Sequence, residues 1–190
     1  MNVASRLLLL LPLFAGTAAL AQTRPATPPA APAAAPAPAP SASTPERTLS
    51  SFGDWVVRCE QRPAGGRGCE MAQTSTDQRQ QPVAVLALGR PARGEPLRLV
   101  AQVPVNITTA QAARITIEPA LVLPFKSCTP RGCFAELEMR DAALLQRLRS
   151  RAADAAARLE WRDAAGQEAG VALSFRGFAA AYDALSRETE

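Results

Sequence analysis

The sequence predicts a mainly β domain, a β-sandwich with one or two short helices. Apolar and polar residues alternate with period two in several segments, turn-rich breaks separate those segments, and four cysteines sit at two of the breaks. Alternation of this kind gives a strand one buried and one wet face, and about seven or eight such strands build two facing sheets.

The chain opens with a short basic start ending at Arg6. An almost wholly apolar run follows over 7–20, closing on Ala19-Leu20-Ala21 before Gln22. That order is what a signal peptidase reads, so residues 1–21 are read as a cleaved signal peptide. A transmembrane anchor is the competing reading, but a span needs about 20 apolar residues, and this run is shorter and holds Pro12. No cysteine follows the cleavage point, which argues against lipid anchoring, and cleavage leaves no transmembrane span. The expected address is the periplasm, the cell surface or the medium.

Residues 22–47 are Pro, Ala, Ser and Thr with almost no large apolar side chain. Such a segment cannot bury enough surface to offset the entropy of ordering it, and its prolines favour extended polyproline II. It is read as a disordered tether. The remainder, 48–190, is one domain in length. It carries 18 Arg and Lys against 16 Asp and Glu, interspersed and without a basic run, which excludes the usual footprint of a nucleic-acid partner.

Within the domain, Trp55, Val57 and Cys59 share one strand face and Val56, Arg58 and Glu60 the other. The segment 83–88 is apolar on both faces, as a central strand is. Leu97, Leu99, Ala101 and Val103 alternate with Arg98 and Gln102. Ile115 and Ile117 mark another strand, and Cys133, Ala135, Leu137 and Met139 alternate with Phe134, Glu136, Glu138 and Arg140. The spacing of Leu144, Leu145, Leu148, Ala152, Ala155 and Leu159 fits a single helix over 141–159; the alternative, favoured by Trp161 and the turn over 166–170, is a helix over 141–151 and a strand over 157–162, with a further strand through Val171, Leu173 and Phe175. A second short helix over 178–185 closes the domain.

Cys59, Cys69, Cys128 and Cys133 are an even set in a chain with an export signal, so disulfides are the expected state. Spacing favours two local bridges. A Pro/Gly-rich turn separates Cys59 from Cys69, and Thr129-Pro130-Arg131-Gly132 separates Cys128 from Cys133. Zinc is the weaker reading, because the knuckle spacing and its usual histidines are missing. Cys-x-x-Cys redox chemistry is weaker still. No cofactor is expected.

The chain contains no histidine, which removes the commonest general base and every Ser-His or Cys-His arrangement. Lys126, the one lysine, has no evident activating neighbour. Glu136 and Glu138 share a strand face, yet catalytic carboxylates come from separate segments facing a cleft, whereas alternating Glu is the ordinary wet face of a strand. Phe52, Gly53, Asp54, Trp55, Gly132, Gly177 and Phe178 all have structural readings: glycines at tight turns, aromatics in the core, Asp54 at a turn or in a hydrogen bond.

The order Phe52-Gly53-Asp54-Trp55, Cys59, Cys69-Glu70-Met71, then Val103-Pro104-Val105, Leu123-Pro124-Phe125 before Cys128, Gly132-Cys133 and Gly177-Phe178 resembles the invasion-associated locus B family of exported bacterial proteins. The resemblance covers most of the domain. It implies an immunoglobulin-like β-sandwich, export to the periplasm or surface, and an association with host-cell entry in pathogenic members; it implies no chemistry. The leading functional expectation is a non-enzymatic binding module for a protein or an envelope polymer. The alternatives are a carboxylate enzyme acting on envelope glycans through Glu136, Glu138 or Asp54, and an assembly factor marked by an exposed apolar sheet edge.

Overall fold

The alternating segments form eleven strands in the computed structural model, which describes residues 45–63 and 65–189. The signal sequence expected over 1–21, and the tether as far as residue 44, lie outside the described residues. In chain order the strands are β1 (Arg47–Phe52), β2 (Trp55–Gln61), β3 (Arg67–Thr76), β4 (Pro82–Gly89), β5 (Leu97–Val103), β6 (Ala113–Ile115), β7 (Leu121–Leu123), β8 (Phe125–Thr129) and β9 (Gly132–Met139). Helix α1 (Ala142–Arg149) follows, then β10 (Ala157–Arg162), β11 (Glu168–Leu173) and helix α2 (Phe178–Thr189).

All pairing is antiparallel. One sheet has seven strands in the order β1-β2-β3-β4-β5-β9-β8, the other four in the order β11-β10-β6-β7. β11 packs against β3 and β7 against β9, so the small sheet covers part of the large one in a sandwich-like arrangement with two short helices. The core lies between. It takes Trp55, Val57 and Cys59 from β2, Met71 from β3, Leu86 and Leu88 from β4, Leu99, Ala101 and Val103 from β5, and Cys133, Ala135 and Met139 from β9. Ile115, Leu123, Leu159, Trp161 and Leu173 meet them from the small sheet. These are the inward members of each alternating pair, which is why period two reported burial.

Both helices have local causes. Asp141 caps α1, its carboxylate accepting from the Ala143 amide at 2.8 Å, and Arg147 and Arg149 occupy the last turn, where the helix dipole favours cations. α2 begins at Phe178 and buries Phe178, Ala181 and Leu185 on one face. Arg149 joins the helices through Asp183 and lies 5.3 Å from the Tyr182 ring centre.

Three details differ from the sequence reading. Trp55 opens the second strand, because Arg-Thr-Leu-Ser-Ser-Phe forms β1 although its polar composition gives no alternation to read. α2 continues to Thr189, four residues past the expected end. Ile117 and Phe175 lie just outside β6 and β11, yet both are buried.

Candidate interaction surface

The residues singled out at the two ends of the domain meet. β1 turns into β2 through Gly53 and Asp54, and this turn sits back to back with Ser174, Phe175, Arg176 and Gly177 between β11 and α2. The Asp54 amide donates to the Arg176 carbonyl at 3.0 Å. The Asp54 carboxylate accepts from Ser174 Oγ at 2.6 Å and from the Arg176 guanidinium. Trp55 Nε1 donates to the Ser174 carbonyl at 2.9 Å, and the side-chain amide of buried Gln73 bonds both the amide and the carbonyl of Ser174 at 3.0 Å. The hydrogen bond from Arg176, followed by that from Ser174, holds the Asp54 carboxyl below its ordinary range.

Two glycines permit this approach. Gly53 has φ +60° and Gly177 φ +88°; a Cβ at Gly177 would stand 1.9 Å from the Phe52 carbonyl oxygen, and one at Gly53 2.6 Å from that of Arg176. Beneath them Phe178 packs edge-on to Trp55, ring centres 5.0 Å apart, with Phe175 5.6 Å from Phe178. The constellation is a latch between chain ends. Its one side-chain hydroxyl, that of Ser174, donates to the Asp54 carboxylate, which Arg176 also engages.

Cys59 and Cys69 are directly opposed on β2 and β3, Cys128 and Cys133 on β8 and β9, and each pair stands at disulfide distance. Gly132 makes the second turn, where a Cβ would meet the Val103 carbonyl oxygen at 2.7 Å. Glu188 approaches the Cys59–Cys69 pair closely enough to suggest a metal set, but bonded sulfurs offer no thiolate. Lys126 is exposed on β8. Glu136 and Glu138 project outward from β9, the first against Arg98 at 3.3 Å and the second against Arg140 at 2.7 Å.

Those glutamates belong to a larger feature, the outer face of the seven-stranded sheet. Among the described residues the helices and the small sheet pack on the Trp55 side, leaving this side without a helix or a second sheet over it. Cross-strand register sets Arg58, Glu70, Gly89, Arg98 and Glu138 side by side from β2 to β9, and the next row is Val56, Ala72, Ala87, Val100 and Glu136. Gly89 and Ala87 floor a groove of about 620 Å³ whose walls are Arg58 and Glu70 on one side and Arg98 and Glu136 on the other. Arg62 crosses its end, donating to the carbonyls of Pro91 at 2.7 Å and Arg90 at 3.1 Å, over Gly68, which leaves it room. A second groove of about 560 Å³, lined by Val83, Val85, Gln102 and Val105, continues along the same β4–β5 pair.

Each wall carboxylate is matched to a guanidinium: Glu70 to Arg58, Glu136 to Arg98. Glu70 and Glu136 stand on β3 and β9, three strand spacings or about 14 Å apart across the sheet, against the roughly 5–9.5 Å separating the carboxyls of a glycosidase. The surface presents an apolar floor flanked by paired charges. Sequence reasoning missed Ser174, Arg176 and Gln73, the latch partners. A glutamine on the inward face of a strand, in register with Met71, was the available signal for the last.

The model of the invasion associated locus B (IalB) protein family matches residues 55–186, over two thirds of the chain. No curated protein matches the chain in sequence. The crystal structure of invasion associated protein b from Bartonella henselae resembles this fold with a TM-score of 0.61 at 18% sequence identity, over 74% of this chain and 95% of that one. The matched span runs from Trp55 to the second half of α2 and contains both cysteine pairs, the outer-face rows and the C-terminal side of the latch. The chain belongs to the invasion associated locus B family.

Proposed function

We propose that the chain is an exported envelope protein, released by cleavage after Ala21 and carried on its Pro/Ala-rich arm, that works by binding a protein or an envelope polymer rather than by catalysis. The observation that carries the reading is the outer face of the large sheet, without a layer of its own chain over it, with a floor of half-buried Val56, Ala87 and Val100 and buried Ala72 beside a row of alternating charge. A strand face left without a layer of its own chain ordinarily carries polar side chains; apolar ones at its centre suit a surface that another molecule covers.

The even cysteine set at disulfide distance supports export. Among the described residues no helix is long and apolar enough to cross a membrane. The test compares the protein with its Ala87→Arg variant, whose added side chain fills the groove without touching the core. Incubated with envelope extract, the wild type retains material that the variant loses. Equal retention by both ends the reading.

A further inference from the structure

The outer face of the seven-stranded sheet is complementary to itself. In an isologous contact a two-fold axis sets every residue on the axis against its own copy and every flanking residue against the one mirrored across it. Charge on the axis is therefore excluded, and a flanking charge must meet an opposite or a neutral residue from the other side. β4 is the middle strand of seven, with three strands on each side, so a half-turn about β4 lays β3 over β5 of the copy and β2 over β9. The outward positions of β4 in regular register are Val85, Ala87 and Gly89, none charged. The row through Gly89 reads positive, negative, neutral, positive, negative: Arg58, Glu70, Gly89, Arg98, Glu138. The half-turn places Glu70 over Arg98 and Arg58 over Glu138, twice each.

We propose that this face is the interface of a symmetric homodimer, and that its occupant is a second copy of this chain. The proposal rests on reading the face as an interaction surface and names its partner as a second copy, so that copy and any envelope polymer compete for one groove. Sheets that pack face to face lie about 10 Å apart. Over the axis, Gly89 and Ala87 are too small to fill that gap against their own copies, and the long Glu70 and Arg98 side chains of both copies fill it from either side. Six strand spacings by about seven residues of strand span roughly 700 Å² per copy, near the roughly 800 Å² per partner of a standard specific interface. Val56, Ala72, Ala87 and Val100 supply the burial and the charged row sets the register, while Glu136, which the half-turn lays over Val56, keeps Arg98 of its own chain as its partner.

The test mixes two single variants of the chain as its host processes it, measured by sedimentation equilibrium. The wild type dimerises. Glu70→Arg sets Arg over Arg in its own dimer and Arg98→Glu sets Glu over Glu, so each alone self-associates at least about tenfold more weakly, since like-charge juxtaposition costs several kcal/mol. An equimolar mixture restores both opposed pairs and forms a heterodimer within about threefold of wild-type affinity. Arg58→Glu with Glu138→Arg, treated alike, replaces any variant whose thermal transition is lost. A wild type that stays monomeric at millimolar concentration, single variants that dimerise unchanged, or a mixture no tighter than its components each overturns the proposal. A monomeric wild type whose Ala87→Arg variant still loses its envelope partner sinks the homodimer alone, whereas a dimer with unchanged capture sinks the binding reading alone.

Discussion

Replacing Gly177 by alanine tests the latch most directly, and Gly166 supplies the control. Both glycines have positive φ, +88° and +77°, but a Cβ at Gly166 meets nothing within 4 Å, whereas at Gly177 it lies 1.9 Å from the Phe52 carbonyl oxygen and 2.4 Å from its carbon. Gly166→Ala therefore carries only the left-handed backbone strain, about 1 kcal/mol. Gly177→Ala carries the same strain and must also push two backbone segments apart by more than 1 Å to reach the 3.4 Å of ordinary contact. That separation breaks the Asp54 amide bond to Arg176 and loosens the Asp54 carboxylate from Ser174, about 1 kcal/mol each. The total is about 3 kcal/mol. At about 2–4 °C per kcal/mol for a domain of this size, Tm falls by about 2–4 °C in the control and about 6–12 °C in Gly177→Ala. Calorimetry of both variants reads the difference directly. Equal losses would refute the reasoning, because close approach of the chain ends would then contribute nothing.

Asp54→Asn should destabilise by about 1 kcal/mol at neutral pH, a modest figure because a third of Asp54 stays wet. The folded carboxyl is held below its unfolded value, so its contribution is complete above the ordinary Asp pKa near 4 and is lost as pH falls through the depressed folded value. Denaturant midpoints of wild type and variant should thus differ above pH 5 and converge as pH falls through the depressed folded value; a constant gap would contradict the assignment. In limited reduction followed by alkylation mapping, Cys128 and Cys133 should label before Cys59 and Cys69, since Cys128 is exposed whereas Cys59 and Cys69 are 2% and 5% exposed. Simultaneous labelling of all four would show global unfolding rather than selective access.

Legibility followed the range of the physics. Alternation along a single strand is local, so the inward residues of β2, β5 and β9 could be read from spacing. So could the break between α1 and β10, where Trp161 and the glycines Gly166 and Gly170 mark a hairpin. β1 escaped because Arg47, Thr48, Ser50 and Ser51 give no apolar period, and its existence depends on pairing with β2. Gly177 and Gly53 could be marked as turn residues, but not as each other's neighbours. The charge row escaped for the same reason: Arg58, Glu70, Arg98 and Glu138 align only when four ladders are in register.

The latch also has a consequence in time. Its bonds join residues separated by 101 to 122 positions, so Asp54 and Trp55 must wait for nearly the whole domain to be made before their partners exist. A chain emerging from its N-terminus can close the β1–β5 meander early, from neighbours in sequence, but Trp55 keeps an unsatisfied indole and an uncovered ring until Ser174 and Phe178 arrive. Fragments ending before Ser174 therefore leave the core open at one end. The protein remains incomplete, and open to chaperones or proteases, until its last segment is free.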